Sequence, residues 1–145
     1  MLVQQILTLK GDDGVVTVAP SSSLSEAAAL LSSRRIGTVV ISTDGHQAEG
    51  ILSERDIVRE LGKRGVACMT DSVEAVMTRK LTTCEPGETA ESVMEKMTDG
   101  RFRHMPVVDE AGQMVGLISL GDVVKARLSE LAMEKEALQG MIMGH

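Results

Sequence analysis

Two segments of the chain carry the same spacing of polar side chains, Ser53-Glu54-Arg55-Asp56 and Ser119-Leu120-Gly121-Asp122. A serine followed three residues later by a carboxylate, ahead of an apolar helix, is an ordinary capping box. The same pattern can also do ligand chemistry. A hydroxyl and unpaired backbone N–H groups at a helix start attract phosphate, and a carboxylate one turn on can accept from two neighbouring hydroxyls at once. The two roles are compatible. One copy favours the cap; two copies at one spacing, each behind a Gly-apolar-apolar step (Gly50-Ile51-Leu52 and Gly116-Leu117-Ile118), favour a ligand as well.

Other chemistry finds no footing. There is no Walker A sequence, no G-x-G-x-x-G, no H-E-x-x-H and no G-x-S-x-G elbow. Three histidines, one of them His145 at the chain end, are too scattered for a zinc site. Cys68 and Cys84 match no C-x-x-C pattern and are too few for a disulfide framework, which fits a reducing cytoplasm. A net charge of −6 argues against general nucleic-acid binding, and Phe102, with no Trp or Tyr, cannot build a base-stacking platform. No apolar run is long enough to span a bilayer, and Met1 to Lys10 lacks the basic and apolar regions of a signal peptide. The expectation is a soluble, unexported and non-catalytic protein.

The elements that must position the two segments form an internal repeat. Pro20, Gly50, Ser53, Asp56 and Val58 recur as Pro86, Gly116, Ser119, Asp122 and Val124, and Thr17/Thr83, Arg35/Arg101 and Gln47/Gln113 share the same gapless offset of 66. In the first copy Ser23 to Glu26 reads as a cap, followed by a helix with Leu24, Ala27, Ala28 and Leu31 on one face. Thr38 to Ile41, an Asp44-Gly45 turn and Ile51-Leu52 read as a hairpin, and a helix with Ile57, Val58 and Leu61 follows. The second copy repeats the order with Ala90, Val93, Met94 and Met97, then Met105 to Val108, Val115 to Ile118 and a helix from Asp122. Each unit is therefore β-α-β-β-α, an α+β class, and two such units are expected to pack as a pseudo-twofold pair, since a half of about 60 residues buries little surface alone. Val73 to Arg79 is expected as a helical turn joining the copies. The tail beyond Lys125 is expected to continue as a helix whose Val124, Leu128, Leu131 and Leu138 stripe packs on its own core, the commoner arrangement, with contact to a partner helix as the alternative.

With these residues in view, the chain resembles a tandem pair of CBS domains (cystathionine beta-synthase domains), a stand-alone Bateman module. The two G-h-h-S-x-x-D segments are similar to the family signature, and His104-Met105-Pro106-Val107-Val108-Asp109 is similar to its h-P-V-V-D strand. The resemblance runs from about Thr8 to Leu128 and divides the chain into 8–67 and 81–128, with a linker 68–80 and a helical tail 129–145.

The resemblance implies a regulatory module that binds an adenosyl ligand, such as AMP, ADP, ATP, S-adenosylmethionine or NAD(H), in clefts between the repeats. It implies that Asp56 and Asp122 take the ribose hydroxyls and that Ser53 and Ser119 lie beside the phosphates. It also implies that each signature faces the other repeat, so that Asp56 meets Cys84, Thr89, Phe102, Arg103 and His104. Met105 and Pro106 then follow on the wall. Asp122 meets Val18, Ser23, Ile36, Gly37 and Thr38. Arg55, Arg103 and His104 make the first cleft the cationic one, suited to extra phosphates, and leave the second smaller and nearly uncharged. A solvated or ion-paired surface remains an alternative for the arginines, a satisfied strand position for His104 and a core plug for Phe102. A homodimer acting on an unidentified effector protein in trans is implied, and a dimeric adaptor with unused clefts stays the competing reading.

Overall fold

The computed structural model describes residues 1–11 and 14–143, so His145, at the end of the expected tail, lies outside them. An N-terminal helix α1 (Val3–Lys10) precedes the first copy, which runs β1 (Thr17–Val18), α2 (Leu24–Arg34), β2 (Thr38–Ile41), β3 (Gly50–Ser53) and α3 (Glu54–Arg64). Short 3₁₀ turns at Val66–Thr70 and Val73–Ala75 lead to the second copy, α4 (Ala90–Gly100), β4 (His104–Val108), β5 (Met114–Ser119) and the long α5 (Leu120–Ile142). The first sheet has the order β1-β2-β3, parallel then antiparallel, and the second is the antiparallel pair β4-β5.

Equivalent residues begin and end equivalent helices. Ser23 Oγ accepts from Glu26 N at 3.1 Å to start α2, and Thr89 Oγ1 accepts from Ser92 N at 3.1 Å to start α4. Both helices stop on a left-handed arginine, Arg35 at φ 54° and Arg101 at φ 56°. The next N–H then turns back to the helix, Ile36 to Leu31 O and Phe102 to Met97 O. This closure delivers Ile36-Gly37-Thr38 and Phe102-Arg103-His104 to matching places at the mouths of the central strands.

Each repeat has its own core. Leu24, Ala27, Leu31, Val39, Ile41, Leu52, Ile57, Cys68 and Val73 form one; Val3, Ile6, Cys84, Ala90, Val93, Met97, Met105, Val107, Ile118, Val123 and Ala126 form the other. The seam between repeats is the opposite face of the central strands. Thr38 and His104, an offset-66 pair, touch at 3.3 Å through Oγ1 and Nδ1. Val40 and Pro106, the next pair along the same strand faces, are both buried outside their own repeat's core clusters. The expected pseudo-twofold pair is thus present.

Four features refine or depart from expectation. The leading strand of the second copy shrinks to a single bridge, Cys84 to Val107. In the first copy Val40 N donates to Val16 O, but Pro106 stands at the matching place and has no N–H for the carbonyl of Thr82. Val73 to Arg79 opens with a turn of helix, of the 3₁₀ kind and confined to Val73–Ala75, and then becomes an extended bridge, Thr78 to Ile51, while Val73, Val76 and Met77 pack together on the first core. The segment without targeting signals holds α1 (Val3–Lys10), which is built into the second core through Val3 and Ile6. The α5 stripe does not pack on its own core: only Val123 and Ala126 of α5 are buried, while Val124, Leu128, Leu131 and Leu138 are exposed. Its pseudo-equivalent α3 ends at Arg64, so most of the tail runs past the point where a matching core stops.

Candidate functional site: two clefts across a pseudo-twofold axis

The strand register puts Ser53 opposite Thr38 and Ser119 opposite His104, so each signature serine ends its strand beside the seam. Both signatures are complete capping boxes. Asp56 Oδ2 accepts from Ser53 N at 2.8 Å and from Ser53 Oγ at 3.0 Å, and Asp122 Oδ2 accepts from Ser119 N at 2.9 Å. The returning bonds run from Asp56 N to Ser53 Oγ (3.3 Å) and from Asp122 N to Ser119 Oγ (3.1 Å). A carboxylate is therefore fixed at the first turn of α3 and of α5, each facing a cavity.

The Asp56 cleft, about 530 Å³, is lined by Ser53, Glu54, Arg55 and Asp56 from the first repeat and by Phe102, Arg103 and His104 from the second, with Gly37 and Thr38 at the seam. The Asp122 cleft, about 830 Å³, is lined by Ser119 and Asp122 opposite Ile36, Gly37 and Thr38, with His104 at the seam. The cross-repeat pairing expected for these residues is what the fold brings together. Thr38 and His104 line both clefts, so their contact is the wall between them.

Six expected positions lie elsewhere. Val18 packs on the first core, and Cys84 is buried in the second, where burial pushes its thiol up to about 12. The residues that do line the clefts are Val16 and Thr82, two residues earlier on the same strand side and so nearer the mouth. Ser23 and Thr89 are spent on capping α2 and α4. Met105 and Pro106 are buried inward of His104, Met105 in the second core.

The second cleft is neither smaller nor uncharged. Arg34 lines it where Gly100 stands in the first, and Lys10 reaches it from α1. The Asp56 cleft has Arg55, Arg103, Lys80 and Arg101, and the positions equivalent to Arg55 and Arg103 are the uncharged Gly121 and Gly37. Gly100 also makes room for the one aromatic: a Cβ there would meet the Phe102 ring at 2.1 Å. The Asp56 cleft remains the more cationic, with four basic side chains against Glu54 and Asp56.

Lys10 and Lys80 were missed because they belong to a second repeat in a different register. Val3, Ile6, Leu7, Thr8 and Lys10 recur as Val73, Val76, Met77, Thr78 and Lys80 at an offset of 70, invisible to a gapless search at 66. The structure treats the two lead-in segments alike. Val3 N donates to Glu88 O and Val73 N to Ser22 O, while Ala90 N donates to Met1 O and Leu24 N to Asp71 O. Each segment precedes one repeat and packs on the other. The signature glycines admit them: a Cβ on Gly116 would meet Leu7 at 2.8 Å, and one on Gly50 would meet Met77 at 2.3 Å.

Charge in the seam is tightly coupled. Burial would raise the Asp122 carboxyl, but hydrogen bonds from Lys10 and Ser119 outweigh it and hold the group below the usual carboxylate range. Burial, with help from Lys10 and Arg103 and against Asp122, lowers His104 below an ordinary imidazole. His104 is thus a neutral partner for Thr38 at pH 7. Among the described residues no helix is long and apolar enough to cross a membrane, and no three His, Cys, Asp or Glu side chains cluster to hold a metal.

The family profile for the CBS domain matches residues 11–63 and again 73–129. The chain belongs to the CBS domain family. It is similar to the CBS-domain protein ATU1752 from Agrobacterium tumefaciens, 43 % identical with a TM-score of 0.81, over 88 % of this chain and 99 % of that one. Among curated proteins it is 34 % identical to the mitochondrial CBS domain-containing protein CBSX3 of Arabidopsis thaliana, covering 82 % of this chain and 59 % of the relative, so it spans little more than half of that protein. Two solved relatives at 25 % identity hold ligands. CBSX2 is in complex with AMP (TM-score 0.73, 88 % and 96 % covered), and the CBS pair of MJ0100 holds 5′-methylthioadenosine and S-adenosylmethionine (TM-score 0.77, 90 % and 98 % covered).

Proposed function

We propose that this CBS pair is a regulatory module that takes an adenine nucleotide into one or both clefts and alters a partner protein in trans. The observation that carries the reading is the pair of carboxylates, Asp56 and Asp122, each fixed by its own serine at a helix start and facing a cavity closed by the other repeat. In this reading each carboxylate accepts from the ribose 2′- and 3′-hydroxyls. The helix start with Ser53 or Ser119 favours the phosphates, and Arg55 and Arg103 or Arg34 pair the remaining charge. Ile36 and Phe102 supply apolar surface for the base. The solved relatives with AMP or S-adenosylmethionine support an adenosyl ligand; the basic linings favour AMP, ATP or NAD(H). Binding at the Thr38–His104 wall offers a route to a change of shape, since both clefts rest on it.

The exposed apolar residues Val58 and Leu61 on α3 and Val124, Leu128 and Leu131 on α5 favour a homodimer with closed twofold symmetry. The same faces support a second reading, an adaptor that dimerises and docks a protein with its clefts unused. Two buried, unpaired cysteines fit work in a reducing compartment such as the cytoplasm.

A thermal melt separates the readings. A nucleotide at about 100 times its Kd adds about 2.7 kcal/mol to the folded state. AMP, ATP, NADH and S-adenosylmethionine are each added to the full chain, and a rise in Tm with at least one is expected. No rise with any of them at millimolar concentration leaves the adaptor reading.

A further inference from the structure

The Asp122 carboxylate meets its cleft with a cation already on it. Lys10 Nζ donates to Asp122 Oδ2 at 2.9 Å and to the carbonyl of Leu117 at 2.9 Å, bridging β5 to the start of α5. We propose that Lys10 makes the Asp122 cleft selective for phosphorylated adenosyl ligands, by holding the carboxylate until an anionic group draws the ammonium away. This rests on the nucleotide reading of the cleft and adds a specificity-determining residue to it.

The argument is one of charge balance. Among the described residues that line this cleft, Asp122 is the sole carboxylate, set against Lys10 and Arg34. A ligand whose hydroxyls take Asp122 Oδ2 must weaken the ion pair, and a neutral ligand such as adenosine gives the displaced ammonium no anion in return. A phosphate does. Stripping a charge of its partner in a partly desolvated site is costly, and restoring a charge-assisted hydrogen bond offsets that cost. Lysine suits the exchange because it is a point charge on a flexible stem with three donors, so Nζ can keep the Leu117 carbonyl while it changes anion. α1 itself stays fixed, since Val3 and Ile6 are buried and Leu7 lies over Gly116.

The other cleft is an internal control. Asp56 is bonded by Arg59 NH2 at 2.8 Å, from its own helix and outside the cleft lining, and Lys80 makes no ion pair among the described residues. Both carboxylates are held, but only Lys10 lines the cleft and can turn to a bound anion, so selection through the holding cation is expected at Asp122 and not at Asp56.

The test titrates the full chain with AMP and with adenosine while amide chemical shifts are followed. Gly116 and Leu117 report the Asp122 cleft; Ile51 and Thr78 report the other. In the parent, AMP is expected to bind at least tenfold more tightly than adenosine at the Asp122 cleft. Lys10→Met is expected to bring that ratio to threefold or less, by weakening AMP while adenosine holds or gains. Lys10→Arg keeps the preference, and Lys80→Met leaves the Asp122 ratio unchanged. Equal weakening of both ligands by Lys10→Met, or an unchanged ratio, overturns the role of Lys10 while leaving the nucleotide site in place. No shift at either cleft with either ligand overturns the nucleotide reading, and this inference with it.

Discussion

The helix α1 precedes the first repeat yet belongs to the core of the second, and Ile6 gives that arrangement a measurable size. Its side chain is 4 % exposed among Val3, Ala90, Val93, Met97 and Val123. Ile6→Ala removes three carbon atoms. At roughly 0.8 kcal/mol per buried methylene this forfeits about 2.4 kcal/mol of transfer free energy. A residual cavity adds to it and the better helix propensity of alanine returns a few tenths, so a net loss of about 3 kcal/mol is expected, inside the ~2–5 kcal/mol range of such truncations. For a chain of this length that is a fall in Tm of about 10 °C. Leu9, on the same helix and 73 % exposed, supplies the control: Leu9→Ala should stay within about 0.5 kcal/mol of the parent. Urea denaturation of the three proteins, with m-values compared, reads both effects. If Ile6→Ala also lies within about 0.5 kcal/mol, or Leu9→Ala costs as much as Ile6→Ala, α1 is not built into the second core.

Other consequences follow from the clefts and the exposed faces. Asp122→Asn keeps an acceptor for the helix start but loses the charge and the Lys10 ion pair, so AMP affinity at that cleft should fall at least tenfold, a larger effect than the modest drop in melting temperature; a variant that binds AMP like the parent but melts lower would return Asp122 to a purely capping role. Acidification should weaken the fold in two stages. His104 is held below an ordinary imidazole, so stability drops as pH falls through about 6.5; Asp122 is held below an ordinary carboxylate, so its contribution, present above about pH 4, is lost as pH falls through its lowered value. His104→Gln should remove the first stage, and an unchanged pH–stability curve for that variant would contradict the assignment. Arg55→Ala and Arg103→Ala should weaken ATP and NADH more than AMP in calorimetric titrations, and equal losses for all three would show that these arginines do not sort ligands by phosphate charge. Light scattering at micromolar concentration should give a dimer that Leu128→Glu dissociates; a monomeric parent ends the homodimer proposal.

The repeat, the capping serines Ser23, Ser53 and Ser119 and the strand start at Thr38 were legible in the sequence because each follows from short-range rules at one gapless offset, whereas Thr89 proves to be a cap and β4 starts one residue before Met105. The signature carboxylates were legible for the same reason, and their cross-repeat neighbours Ile36 to Thr38 and Phe102 to His104 came from family resemblance. The family resemblance points to Cys84 and Val18 on the cleft wall, yet the wall uses Thr82 and Val16: alternation along a strand fixes which side a residue faces, not how near the mouth it lies. Lys10 was illegible at an offset of 66 because four more residues separate it from Val16 than separate Lys80 from Thr82. Arg34 carries no signal of its own, because a basic residue in the last turn of a helix is ordinary, although Gly100 at the matching position marks that place as one where the clefts differ. The α5 stripe reads the same whether it covers a core or waits for a partner, and periodicity alone does not choose between them.

The central claim is that two carboxylates facing across the pseudo-twofold seam hold the sugar of an adenine nucleotide, and a crystal structure of the full chain grown with AMP tests it most directly. The account predicts AMP between the repeats, with its ribose hydroxyls within hydrogen-bonding distance of Asp122 or Asp56 and its phosphate toward the arginines and lysine of the same cleft. AMP seated on an outer face, or clefts that stay empty at saturating AMP while both capping boxes remain intact, would contradict it.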